Sequence, residues 1–164
     1  MHIKTSTALL IGAVLLTGAG FLLFTGGTST DGSRNGIVES AAVLSADRPL
    51  HDFGKIDIFS GTVTTEFLLT NEGADDITIT GGTTTCGCTE GELGGMRFGM
   101  HEELAQPFVI PAGGTVPLSV IFDPLAHGPS GVGLAQRSVF LKTDSSATPE
   151  LEVQIQALVT NIEQ

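Results

Sequence analysis

Two cysteines occur in the 164 residues, and one glycine separates them: Cys86-Gly87-Cys88, within TTTCGCTEG (83–91). Three chemistries fit such a pair. On an extended strand, residues i and i+2 share a face about 6.6 Å apart, at a rise of about 3.3 Å per residue. A disulfide needs Cβ atoms near ~3.8 Å. An extended Cys-Gly-Cys is therefore too open to bond but suits two thiolates leaning on one metal ion. A turn at Gly87, where glycine tolerates positive φ, reverses that preference, and an oxidising compartment outside the cytoplasm adds to it. In the third reading both residues are small buried side chains that stay reduced.

The stretch that follows, EGELGGMRFGMHEELAQ (90–106), holds Met96, Met100 and His101. Thiolate, thioether and imidazole together are ligands for Cu(I), whereas zinc uses cysteine and histidine without methionine. The candidate metal set is thus Cys86, Cys88, Met96, Met100 and His101. The plainer reading makes Met96 and Met100 gap-fillers beside Phe98, His101 and His127 surface residues, and His51 a structural residue on the first strand. Glu90, Glu92, Glu102 and Glu103 read as a solvated acidic face. Nucleophilic catalysis would need a Cys–His pair with an orienting third group. Cys86 or Cys88 could meet His101 or His127, but no oxyanion hole, paired carboxylates or phosphate-cradling glycine loop accompanies them. No catalytic residue is assigned, and the chain is read as a non-enzyme.

Strands must position these residues, because from 37 onward alternation with period two dominates. Leu151, Val153, Ile155, Ala157 and Val159 form one inward set; Val116, Leu118, Val120 and Phe122 another; Val63, Thr65, Phe67 and Leu69 a third. Turn signals separate them: NEGAD (71–75), PAGGT (111–115), DPLAHGPSG (123–131) and TDSSATP (143–149). The expected strands are 37–44 with 49–56, then 62–70, 76–84, 107–110, 115–122, 136–143 and 150–159. Seven short strands over about 120 residues predict an all-β, seven-stranded immunoglobulin-like β-sandwich. The segment 90–106 is an insertion with a short helical turn expected at 100–105. Antiparallel strands alternate direction, so their connections alternate ends. Parity puts Cys86, Cys88, the insertion, loop 57–61 and the loop carrying His127 at one end.

In order along the chain come HDFGKI (51–56), FLLTNEGADDITIT (67–80), CGCT (86–89), IPAGGTVPLSVIFDP (110–124) and VFLKTDSSATPELEVQIQALV (139–159). This series resembles a bacterial Ig-like domain family of unknown function, akin to the ASH and major-sperm-protein type of immunoglobulin-like domains, over roughly 49–160. The CGCT between an N-x-G turn and a P-x-G turn is the specific part. The resemblance implies an exported or lipid-anchored protein for which no enzymatic activity is established. The sequence departs from it at 90–109, where relatives reach the P-x-G turn quickly.

The N-terminus supplies the anchor. Lys4, in a short cytoplasmic segment 1–7, precedes a charge-free run at 8–24, ALLIGAVLLTGAGFLLF. Its 17 residues are at the short end of what spans a bilayer. The charge at Lys4 places the N-terminus in the cytoplasm and exports the rest. The run is longer than a signal h-region and lacks a good cleavage site after it, so it is read as an uncleaved transmembrane helix. Residues 25–36 form a flexible linker of roughly 20 Å, 37–160 the sandwich, and 161–164 a tail. Lys and Arg total 7 against 18 Asp and Glu, a formal net charge of −11. Such a surface repels phosphate backbones, which excludes nucleic acid as a partner. The expectation is a single-pass protein of the cytoplasmic (inner) membrane, held there by its N-terminal helix. Its extracytoplasmic domain binds a protein partner or assembles a complex. The alternative is a Cu(I)-binding envelope protein built on the CGC motif and the Met/His insertion.

Overall fold

A computed structural model of the chain describes residues 41–161. These residues form ten strands and no helix: β1 (Leu44–Ala46), β2 (Leu50–Asp57), β3 (Val63–Asn71), β4 (Ile77–Thr84), β5 (Thr89–Leu93), β6 (Met96–Gly99), β7 (Phe108–Ile110), β8 (Thr115–Phe122), β9 (Gly133–Thr143) and β10 (Glu150–Thr160). Two five-stranded sheets run in the orders β1-β3-β8-β5-β6 and β2-β10-β9-β4-β7. The transmembrane span predicted at 8–24 lies outside the described residues; among those described, no helix is long and apolar enough to cross a membrane.

The alternating sets become the facing layers. Phe67 and Leu69 on β3, Leu118, Val120 and Phe122 on β8, Val139 and Leu141 on β9, and Val153 and Ile155 on β10 are all buried between the sheets. Their neighbours in sequence point outward, as the period-two pleat requires. Phe67, Leu69, Val120, Phe122, Leu141, Val153 and Ile155 were expected in the core and lie there.

The count of seven strands is corrected to ten, for two physical reasons. First, the opening strand is split between sheets. β1 pairs antiparallel with β3, whereas β2 pairs parallel with β10. The chain crosses over at Asp47–Pro49, where Asp47 N donates to Leu68 O at 3.0 Å and Gln154 N donates to Pro49 O at 2.8 Å. Pro49 has no N–H to offer a ladder, so the switch falls where one donor is missing. Second, the insertion contains a β-hairpin, β5–β6, instead of serving as a long loop. Gly94 (φ 59°) and Gly95 (φ 81°) make its two-residue turn, which demands positive φ at both positions. No helical turn forms at 100–105.

The hairpin belongs to the core. β5 pairs with β8, setting Gly91 opposite Val120 and Leu93 opposite Leu118. Phe98 on β6 is almost fully buried. Its ring sits against two glycines from opposite sheets: a Cβ at Gly82 would lie 2.6 Å from it, and one at Gly91 2.2 Å. The two glycines are the space the ring occupies.

Because a hairpin adds two strands, the chain returns to the end it left. Loop 57–61, the CGC segment, the residues after β6 and the loop 123–132 all lie at one end. The chain enters at the other, where Leu44 pairs with Asn71.

Candidate functional site

The CGC segment bridges the sheets, running from the end of β4 into β5. Thr84 holds it with its hydroxyl, which donates to Thr89 O at 2.9 Å and lies 3.0 Å from Cys86 O. Thr89 N donates to Cys86 O at 3.1 Å, closing a tight turn. Gly87 is not among the glycines of positive φ, so hydrogen bonds make the turn without a left-handed glycine. The turn brings Cys86 and Cys88 to a Cα separation of 5.2 Å, and the two are joined as a disulfide. The bond encloses only three residues. Its loop-closure contribution to stability is correspondingly small, about 1.6 kcal/mol in the chain-entropy description.

Each sulfur has its own donor. His127 Nε2 lies 3.0 Å from Cys86 Sγ, and the Cys88 amide donates to the same sulfur at 3.2 Å. Arg137 Nε donates to Cys88 Sγ at 3.1 Å, with the Thr89 hydroxyl at 3.7 Å. Cys88 is 3% exposed, whereas Cys86 is half-buried and His127 exposed.

The loop after β8 places His127. Asp123 N donates to Cys88 O at 2.9 Å, tying the loop to the CGC turn. Asp123 Oδ1 accepts from Leu125 N at 2.9 Å, and Gly128 N donates to Leu125 O at 2.7 Å. These local bonds fold the loop over the disulfide. Arg137 comes from β9, where it follows the inward phase of Ala135, Val139 and Leu141. Its guanidinium pairs with no carboxylate among the described residues; it donates to Gln136 O and to sulfur.

The predicted ligands are distributed unevenly. Cys86 and Cys88 meet. Met96 sits opposite Leu93 at the hairpin turn, four residues along β5 from Thr89, or about 13 Å at strand rise; it packs against the core. Met100 and His101 are exposed and border a shallow cavity of about 140 Å³ together with Gly87 and Thr89, but neither is among the hydrogen-bonding partners of the sulfurs. His127 takes the place foreseen for His101: the ligand atoms of Cys86, Cys88 and His127 all lie within 4.8 Å of one another. Of the acidic face, Glu90 and Glu92 both pair with Arg97, at 3.1 and 3.3 Å. His51 packs edge-on against Phe53. The carboxylates held below their ordinary range are elsewhere. Asp52 is lowered chiefly by the side-chain amide of Gln156 and Glu152 by that of Gln154.

Arg137 is the site residue missed from the sequence. Its signal was its phase: a permanent cation in an otherwise apolar inward series needs a partner wherever it is drawn part-way out of water.

Comparison with known proteins gives the fold a place and leaves the site unassigned. No curated protein matches the chain. Among solved structures, a protein of unknown function from Porphyromonas gingivalis W83 superposes with a TM-score of 0.56 at 16% identity, over 73% of this chain and 48% of that one. The chain thus spans about half the length of that structure. The VesB protease of Vibrio cholerae matches with a TM-score of 0.50 at 19% identity, over 70% of this chain and 31% of the protease. The human CEP192 ASH/PapD-like domain 7 matches with a TM-score of 0.49 at 11% identity, over 73% of this chain and 87% of that one. At these identities the likeness is one of fold, an immunoglobulin-like sandwich. The model of a family described as "Protein of unknown function (DUF1573)" matches residues 44–159, most of the chain, and the chain belongs to that family.

Proposed function

We propose that the chain is a membrane-tethered extracytoplasmic module, without catalytic activity, that binds another protein through the end of the sandwich carrying the disulfide. One observation carries this reading. Leu134 and Leu158 face each other across β9 and β10, on the solvent side, 66% and 46% exposed. Val132 precedes them, and Phe59 follows β2 at the same end, both more than half exposed. Clustered exposed apolar side chains mark protein contacts more than solvated surface. Lys4 and the apolar run 8–24 support a single-pass anchor in the cytoplasmic membrane. The net charge of −11 argues against nucleic acid as the partner.

The test is a photo-crosslinking residue at Leu134 in the full-length protein in cells, compared with one at Thr115 on the opposite end. A discrete adduct with a second protein from position 134 alone is expected. Equal adducts from both positions, adducts with lipid only, or a dimer of this chain would overturn the reading.

A second reading rests on the convergence of Cys86, Cys88 and His127. In the reduced protein two thiolates and an imidazole suit one Cu(I) ion. Reduced full-length protein should then take one Cu(I) from a competing chelator, and His127→Gln or Cys86→Ser should abolish uptake. Uptake indifferent to both substitutions sinks the copper reading.

A further inference from the structure

We infer that Cys86–Cys88 is a redox-active disulfide that accepts two electrons from a protein dithiol, with Arg137 and His127 stabilising the two sulfurs it releases. The inference stands on the geometry of the sulfurs and does not depend on the binding surface proposed above.

The donors make the case. A disulfide sulfur is a weak acceptor and gains little from a guanidinium. A thiolate gains much from one. The chain has 7 Lys and Arg against 18 acidic residues, yet Arg137 is directed at Cys88 Sγ, with no carboxylate partner among the described residues. Cys86 Sγ has two donors in place, the Cys88 amide and, in the tautomer protonated there, His127 Nε2. Both sulfurs of the reduced pair are thus solvated by the protein in advance, which favours the reduced form and makes the bond an oxidant. A bond enclosing three residues is also poorly suited to stapling a fold that already has a continuous core.

Exposure orders the steps. Cys88 is buried and Cys86 half-buried, so an incoming thiolate attacks Cys86 Sγ. A new S–S bond forms to Cys86, and the Cys86–Cys88 bond breaks with its electron pair on Cys88 Sγ, beside Arg137. Leaving-group stabilisation of this kind speeds exchange. The partner's second thiol, losing its proton, then attacks the partner sulfur of the mixed disulfide. The partner's own disulfide forms, and the electron pair of the broken bond goes to Cys86 Sγ, beside His127 and the Cys88 amide. The dithiol has lost two electrons and two protons; the CGC pair has gained the electrons, and its sulfurs take up protons from the dithiol or from water.

The experiment equilibrates the metal-free full-length protein, with chelator present, in graded mixtures of reduced and oxidised dithiothreitol or glutathione, and counts thiols by alkylation and mass. The folded protein should exchange reversibly. Arg137→Gln should shift the equilibrium toward the disulfide about tenfold, which is ~30 mV for a two-electron couple, and Arg137→Lys should restore most of it. His127→Gln, at an exposed position, tests the other sulfur should Arg137→Gln fail to fold; it too should favour the disulfide. In single-cysteine chains, Cys88→Ser should form a mixed disulfide with oxidised glutathione at least about tenfold faster than Cys86→Ser, by the access argument. A disulfide inert to both reductants in the folded chain, or an equilibrium unmoved by both Arg137→Gln and His127→Gln, would overturn the inference. Equal trapping of the two single-cysteine chains would overturn the assignment of Cys86 as the sulfur attacked.

Discussion

Asn71 shows at the scale of one residue what buried polar groups contribute to this sandwich. It is fully buried. Its Nδ2 donates to Asp75 O at 2.9 Å and to Ile110 O at 3.0 Å, and its Oδ1 accepts from Gly73 N at 3.0 Å. One amide thus replaces a missing ladder where the 71–75 turn meets the end of β7. Asn71→Ala leaves the buried Ile110 O without this partner, while the exposed Asp75 can turn to water, and one buried orphan costs about 1–3 kcal/mol. Denaturant unfolding should show a loss of at least about 1 kcal/mol by that scale; a loss within the ~0.5 kcal/mol of ordinary surface changes would mean that water replaces the amide freely. Arg137 follows the same rule at the other end of the sandwich. Its half-buried guanidinium finds its partners in the Gln136 carbonyl and the Cys88 sulfur.

Among the elements, the β5–β6 hairpin is the one the sequence disguised. Its alternation is carried by Thr89, Gly91 and Leu93, and a glycine in an inward position supplies no hydrophobic signal. The Phe98 ring fills the place of the side chains that Gly91 and Gly82 lack, so the pattern is complete only across two sheets and three strands. Gly91→Ala would put a methyl 2.2 Å from that ring. Overpacking of this kind costs about 1–3 kcal/mol, and thermal unfolding should register it. If Phe98→Ala in the same chain removes the penalty, the clash is with that ring; a Gly91→Ala penalty that persists without the ring would place the strain in the backbone of β5. Met96, read as a ligand for its sulfur, lies at the far end of this hairpin from the cysteines.

Over the whole molecule, the sequence determined the features that period and parity can carry. The apolar alternation identified the sandwich and the core residues Phe67, Phe122, Leu141 and Ile155, because an inward phase repeats every two residues whatever the strand pairs with. The series from HDFGKI through CGCT to IPAGGT carried the family. Parity brought His127 to the end that holds the cysteines, and it survived an uncounted hairpin because two extra strands cancel. Tertiary structure alone decided the rest. Whether Cys86 and Cys88 bond depends on a turn closed by Thr84 and Thr89, since Gly87 itself permits both the open and the closed backbone. The parallel seat of β2 beside β10 and the meeting of Arg137 with Cys88 across 49 positions rest on strand order. Strand order is set by how two sheets share one core, a free energy summed over long-range contacts that no local stretch of the sequence contains.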